Sequence, residues 1–199
     1  MAVPNAAPAL ETARLRLRQL QLDDFEAIHA MWLEPKVYEH ILGRTSTREE
    51  TWSGLLRYNG HWNLLGYGYW AVEEKSSGKL VGQMGFADYH RDITPSLDGT
   101  PELGWALITS SHGKGYATEA LRAMIDHVFT DLDCEAVHSA ARVTNPASRR
   151  VLEKCGFQWT GAGLLRIRAI ASSAPIDRFR LDRGLWASLK SWGRARPLA

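Results

Sequence analysis

The polarity of the chain changes period several times, and each change marks an element. In "TARLRLRQL", Leu15 and Leu17 alternate with Arg14, Arg16 and Arg18, the period of two that a half-buried strand shows. "QLDDFEAIHAMW" moves to a helical period, with Asp23 or Asp24 as cap and Phe25, Ile28 and Trp32 along one side. After Pro35 comes a polar and aromatic stretch, "EPKVYEHILG", closed by Gly43. "TSTREETWSGLLRY" predicts a further helix, capped by Ser46 or Thr47 and carrying Glu49 and Glu50 in its first turn.

The next stretch predicts a hairpin, with "YWAVEE" as one strand, "SSG" as the turn and "KLVGQMGFADY" as the partner. "RDITPSLDGT" reads as a polar loop, and "PELGWALI" as a strand apolar enough to be covered on both faces. A glycine turn follows, then a helix with Leu121, Met124, Ile125 and Val128 at i, i+3, i+4 and i+7. "AVHSAARV" predicts another strand. "NPASRRVLEKCGF" predicts a helix with Asn145 at its cap, Pro146 in its first turn and Gly156 beyond its end. "LLRIRAI" and "DRFRLDR" predict a closing hairpin, and "GLWASLKSW" a terminal helix or turn. The expectation is one mixed α/β (α+β) domain over 11–190, with helices around a largely antiparallel sheet. Residues 1–10 and 191–199 are expected to be tails.

Composition narrows the class. A chain of 199 residues that is 45% hydrophobic and 23% charged can bury one substantial core. No apolar run is long enough to span a bilayer, and the start lacks the basic-then-apolar order of a secretory signal, so a cytoplasmic protein without membrane contact is expected. Cys134 and Cys155 lack metal-like spacing, so no metal site and no disulfide scaffold is expected. A net charge of +2 gives little long-range attraction for a polyanion, so nucleic acid is not an expected partner. Arg14, Arg16 and Arg18, and Arg178, Arg180 and Arg183, read as wet strand faces.

The chemistry concentrates in "SSHGKGYAT", residues Ser110 to Thr118. Gly113 and Gly115 allow successive N–H groups to share one concave face, and the following helix adds its own unpaired N–H groups and positive dipole end. That suits a pyrophosphate. The spacing is not the GxxxxGK[ST] of a nucleotide-binding P-loop, and "GKGYAT" lacks the third glycine of a dinucleotide fingerprint. On these residues alone a structural turn is an equal alternative.

The order of strand "ELGWALI", turn "HGKGYA", amphipathic helix, strand "AVHSAARV" and helix "NPASRRVLEKCGF" resembles the GNAT superfamily of N-acetyltransferases. Within it the likeness is to the ribosomal-protein N-terminal acetyltransferase branch. It runs from about Glu11 to Trp186, and "YATEALRAMIDHVF" and "NPASRRVLEKCGF" are its strongest pieces. The family signature Gln/Arg-x-x-Gly-x-Gly/Ala falls on His112, Gly113, Lys114, Gly115, Tyr116 and Ala117, departing at His112. The resemblance implies a sheet with two splayed strands that admit acetyl-CoA as acyl donor, held by Leu107, Ile108, the residues from His112 to Thr118, Asn145 and Ser148.

It also implies chemistry. Asn145 and Ser148 match the family's N-x-x-S, with Asn145 on the pantetheine arm and Ser148 as donor to the leaving thiolate. The same pair is equally a plain helix cap. Glu102 matches the acidic position opening the central strand, where a carboxylate relays a proton from the amine through water; the alternative is a solvated strand-end charge. His138, Tyr89 and His90 are weaker candidates for the base. The oxyanion would be met by a backbone N–H near Leu107 or Ile108. Cys155, late in a helix and without a base beside it, is not expected to be a nucleophile, so transfer is direct.

The acceptor side is expected among the early helices and the final hairpin, with Trp32, Tyr38 and Tyr89 beside Glu102. His40, Trp62, Tyr67, Tyr69 and Trp70 are further aromatic candidates, and Asp88, Asp92 and Asp98 sit in a nearby loop. The leading acceptor is a protein N-terminus. A small-molecule amine, or a coenzyme-A-binding module without turnover, are the alternatives. Sheet edges of such folds pair often enough to allow a homodimer.

Overall fold

The computed structural model describes residues 6–132, 134–167 and 171–195. Its strands are β1 (Leu10–Glu11), β2 (Leu15–Gln19), β3 (Tyr69–Glu74), β4 (Lys79–Ala87), β5 (Ile93–Thr94), β6 (Glu102–Leu107), β7 (Ala136–Arg142), β8 (Gln158–Ile167) and β9 (Ser172–Asp182). Its helices are α1 (Phe25–Met31), α2 (Pro35–Ile41), α3 (Arg48–Leu65), α4 (Tyr116–Thr130), α5 (Pro146–Lys154) and α6 (Arg183–Ala195). The strands form one sheet in the order β1-β2-β3-β4-β6-β7-β9-β8-β5.

Every neighbouring pair in that order is antiparallel except β6 and β7. Parallel neighbours need a long crossover, and α4 supplies it. The two parallel strands stay paired only at Glu102↔His138 and Leu103↔Ser139. Past Leu103 they diverge, which opens a wedge in the middle of the sheet.

Two apolar clusters cover the faces. The alternation along β3 sends Trp70 and Val72 into the cluster with α4, and Tyr69 and Ala71 into the one with α1 and α3. The four periodic residues of α4, Leu121, Met124, Ile125 and Val128, are each at most 1% exposed. Each contributes about 1.5–3 kcal/mol of burial. Arg16 and Arg18 on the outer face of β2, and Arg14 just before it, are ion-paired: Arg14 with Glu119, Arg16 with Glu11, Arg18 with Asp24 and Glu73.

Several boundaries differ from expectation, each for a local reason. Residues 6–10 do not trail away: Leu10 begins β1, and Trp70 Nε1 donates to the Pro8 carbonyl at 2.8 Å. "EPKVYEHIL" is a helix started by Pro35 in its first turn; only Val37 is buried, so the apolar period that would announce it is missing. The α3 cap is Thr47, whose Oγ1 accepts from Glu50 N while Glu50 returns a carboxylate to Thr47 N. That helix continues to Leu65 and stops at Gly66, whose φ is +77°. The expected polar loop holds β5, paired to β8. The terminal helix runs into the expected tail as far as Ala195; residues 1–5, 168–170 and 196–199 lie outside the described residues. Among the described residues no helix is long and apolar enough to cross a membrane.

Candidate active site

Divergence of β6 from β7 leaves backbone groups without sheet partners. Ile108 N donates to Val81 O on the β4 side at 2.9 Å. By antiparallel alternation the N–H groups of Leu107 and Trp105 then point the other way, into the wedge. The oxyanion donor expected near Leu107 or Ile108 therefore narrows to the odd-numbered positions, because the Ile108 N–H is consumed in the ladder. The Leu107 carbonyl, facing the same wedge, accepts from His112 Nε2 at 2.9 Å. The residue that departs from the family signature thus ties the turn to the end of β6.

Beyond β6 the chain forms the glycine turn. Gly113 (φ +76°) and Gly115 (φ +80°) both take the left-handed conformation that a side chain resists. The first bond of α4 comes from Glu119 N to the Gly115 carbonyl, so the N–H groups of Tyr116, Ala117 and Thr118 have no partner within the helix. These three residues line a cavity of about 710 Å³, bounded also by the end of β6 and the start of α5. Lys36, Arg150 and Lys154 also line it, and no acidic side chain does among the described residues. The open N–H groups, helix dipole and three cations fit the phosphates of coenzyme A.

Leu107, His112, Gly113 and Gly115 line this cavity, as do Tyr116, Ala117, Thr118, Asn145 and Ser148. Lys114 does not. Its carbonyl accepts from Arg14 Nη1 and its ammonium lies 5.7 Å from the Tyr116 ring centre. Ile108 does not line it either. Tyr116 lines the cavity, and its hydroxyl donates to Glu74. Asn145 Oδ1 caps α5 by accepting from Ser148 N at 3.0 Å, and both residues also line the cavity, so cap and ligand contact are compatible.

A second cavity of about 300 Å³ lies on the other side of the wedge. His40, Ile41, Trp105, Ala106, Asn145 and Ser148 line both, and mark where they meet. The period of two puts Glu102, Gly104 and Ala106 on the face of β6 that floors the smaller cavity. Trp32 and Tyr89 are in its walls. Tyr38 is not: it lines neither cavity, and its carbonyl accepts the N–H groups of Leu42 and Gly43.

Glu102 is only 3% exposed, not a solvated strand end. Burial pushes its carboxyl up to about 7, against the downward pull of the Arg91 guanidinium hydrogen-bonded to it; Asp88 adds a small upward push. A carboxyl balanced near neutrality accepts and releases a proton at working pH. The loop acids Asp88, Asp92 and Asp98 do not line the cavity. His138 lies outside it, with burial lowering its affinity for a proton, and His90 is exposed and pairs with Asp88. Cys155 is buried under α4 and its thiol is pushed up to about 11 by that burial, which leaves no thiolate to attack.

Tyr69 and Tyr89 hydrogen-bond through their hydroxyls above Gly104, and Tyr69 stacks on Tyr58 at 3.9 Å between ring centres. A Cβ on Gly104 would stand 2.2 Å from Tyr69 Oη and 2.7 Å from Tyr89 Oη. Gly104→Val is therefore expected to raise KM for the acceptor about tenfold or more while KM for the acyl donor stays within about twofold. Steady-state kinetics with each substrate varied in turn checks this. Of the other aromatic candidates, Trp62 and Trp70 are fully buried core, packed edge to face at 4.6 Å, and Tyr67 packs against the same cluster.

Tyr58, Arg57, Arg91 and Arg142 were not singled out from sequence, although all four line the cavity. Tyr58 carried a signal, sitting three residues after Leu55 and four before Trp62 on the buried stripe of α3. Arg57, Arg91 and Arg142 come from a helix, a loop and a strand end, and nothing local marks their convergence.

Comparison with known proteins places this architecture. The profile of the family described as "Acetyltransferase (GNAT) domain" matches residues 14–158. An uncharacterized N-acetyltransferase, p20 of Bacillus licheniformis, is 27% identical over 169 residues, covering 84% of this chain and 91% of its own. The crystal structure of a GNAT-family acetyltransferase from Bacillus anthracis superposes with a TM-score of 0.72 at 22% identity, covering 89% of this chain and 99% of its own. A spermidine N-acetyltransferase from Vibrio cholerae, solved with CoA and spermine, has a TM-score of 0.67 at 20% identity, covering 88% and 99%. The chain belongs to the acetyltransferase (GNAT) domain family. It is accordingly an acetyl-CoA-dependent N-acetyltransferase, with the two cavities meeting across its splayed strands.

Proposed function

We propose that this protein moves the acetyl group of acetyl-CoA directly to a primary amine seated in the smaller cavity, and that this amine is the N-terminal α-amine of a polypeptide. The observation that carries the reading is the meeting of the two cavities at Trp105, Ala106, Asn145 and Ser148, with buried Glu102 on the acceptor side. Bound acetyl-CoA supplies an activated acetyl thioester. The amine nitrogen bonds to the acetyl carbon, the carbon–sulfur bond breaks, and the departing sulfur keeps that electron pair.

Each remaining task has a residue. Glu102 stands three positions before Trp105, about 10 Å along the strand, so it takes the amine proton through water rather than by contact. The Trp105 and Leu107 N–H groups, fixed in the wedge, meet negative charge on the carbonyl oxygen. Ser148 donates to the leaving sulfur. Ser148→Ala is expected to lower kcat about tenfold, the worth of one hydrogen bond, with KM for acetyl-CoA nearly unchanged. Pre-steady-state thiol release would register that split.

A cavity near 300 Å³ admits the first residue or two of a peptide, and equally a free small amine, which is the second reading. The deciding experiment is thiol release from acetyl-CoA with peptides of varied first residues beside a panel of small amines. Release that depends on peptide sequence supports the N-terminal reading. Release with small amines alone moves the function to metabolite modification. Silence from both panels, with acetyl-CoA still bound, overturns the N-terminal reading and leaves an acceptor outside both panels or a coenzyme-A-binding module without turnover.

A further inference from the structure

The walls of the acceptor cavity carry more positive charge than they neutralise. Its lining includes three guanidinium groups, Arg57, Arg91 and Arg142, and a single carboxylate, Glu102. That carboxylate is taken by Arg91. Arg57 and Arg142 have no carboxylate within ion-pair distance among the described residues.

Their surroundings are built rather than incidental. Arg142, at the end of β7, donates from Nη1 to the Glu39 carbonyl at 3.3 Å, while its Nε and Nη2 are buried with no hydrogen-bond partner. Burial weakens its hold on its proton, and no acidic group offsets this. Room for the guanidinium comes from Gly43, at φ +80°, where a Cβ would lie 3.2 Å from Nη2. Arg57 lies over the Tyr58 ring at 5.0 Å and the Tyr89 ring at 5.9 Å, with Nη2 reaching only the Tyr58 hydroxyl at 3.4 Å. Aromatic faces hold a cation in place without cancelling its charge. A cation left without a counter-ion in a half-buried wall is unfavourable, and a ligand that brings the anion removes the cost.

We propose that the acceptor of this enzyme is an amine that also carries a carboxylate, received by Arg142 and Arg57 while its amino group points along β6 toward the wedge. This rests on the N-acetyltransferase reading and refines its substrate class. Guanidinium donors form a planar fork that matches a carboxylate. The same two charges oppose a polycation, so this cavity is unsuited to the polyamine for which the Vibrio cholerae neighbour is named. They also favour the neutral, nucleophilic form of the acceptor's amino group. The carboxylate has two sources: an acidic side chain near a polypeptide N-terminus, or the carboxylate of a free amino acid.

The test uses matched acceptors at saturating acetyl-CoA: peptides with Asp or Glu at the second position against Asn or Gln, and free amino acids against their amides. We expect kcat/KM at least about tenfold higher for the acid of whichever pair is used, and spermidine below both. The pair that shows the ratio identifies the source. Arg142→Gln should bring the ratio close to one, through KM, and Arg142→Lys should restore part of it. Thermal melting with and without CoA reports whether each variant is folded. Amides equal to acids, or spermidine above both, overturn the proposal and leave the acetyltransferase reading intact. Calorimetry on CoA-loaded protein with N-acetylated acids and their amides decides the proposal independently of turnover. Preference for the acids supports it, and equal or undetectable binding of the acids overturns it even if no acceptor is acetylated.

Discussion

Glu102→Gln is expected to lower kcat by about 10²–10³-fold while acetyl-CoA binds as before, because the amide is shaped like the carboxyl but takes no proton. The pH profile carries the sharper signature. With the carboxyl near 7, kcat/KM of the native enzyme should rise about tenfold per unit below that value, as Glu102 loses its proton, and level off above it. Glu102→Gln should remove that inflection. Arg91→Gln should move it upward, since Arg91 is the group that pulls the Glu102 carboxyl down against its burial. A profile unchanged in Glu102→Gln would assign the base elsewhere. Initial rates over about pH 5.5–9 with both variants distinguish these outcomes.

Gly115→Val should raise KM for acetyl-CoA about tenfold or more, with kcat at saturation falling far less. Gly115 caps α4 at φ +80°, where a β-branched residue is strained by about 1–2 kcal/mol, and relief of that strain turns the N–H groups of Tyr116 and Ala117 away from the phosphates. Space is not the obstacle, since the nearest atom to an added Cβ is Arg14 Nη2 at 3.5 Å. The defect is therefore one of backbone direction, and calorimetry with CoA alone should show it without any acceptor present. Gly115→Ala, smaller but subject to the same φ, should give an intermediate loss.

Much of the donor side was legible along the chain. The two glycines, the α4 stripe and the Asn-Pro start of α5 are local features, each interpretable within one turn or one helix. Their placement around a single cavity follows once β6 and β7 are parallel neighbours joined by α4. Of the residues expected there, Lys114 and Ile108 do not line the cavity, whereas His112 lines it and also donates to the Leu107 carbonyl; which way a single side chain points is set by partners across the fold. The helix Pro35–Ile41 escaped because it buries one residue and so lacks an apolar period. It nevertheless brings His40 and Ile41 to the junction of the cavities.

The acceptor side was legible only in outline. Aromatic residues marked the region, but sequence could not separate Trp62 and Trp70, which fill the core, from Trp32 and Tyr89, which line the cavity. Nor could it show that Glu102 is buried, since a carboxylate at a strand end is as well suited to water.

The sequence by itself carried most of the elements, the left-handed glycine turn before α4 and the family resemblance, because periodicity, caps and glycine conformations are set by neighbours a few residues away. The tertiary structure alone decided the carboxyl near neutrality, the occupied N–H of Ile108 and the unpaired charges of Arg57 and Arg142. Those depend on burial and on partners brought together across the fold, as Glu102 with Arg91 and Arg142 with the Glu39 carbonyl, and such distances are fixed only when the chain has closed around its sheet.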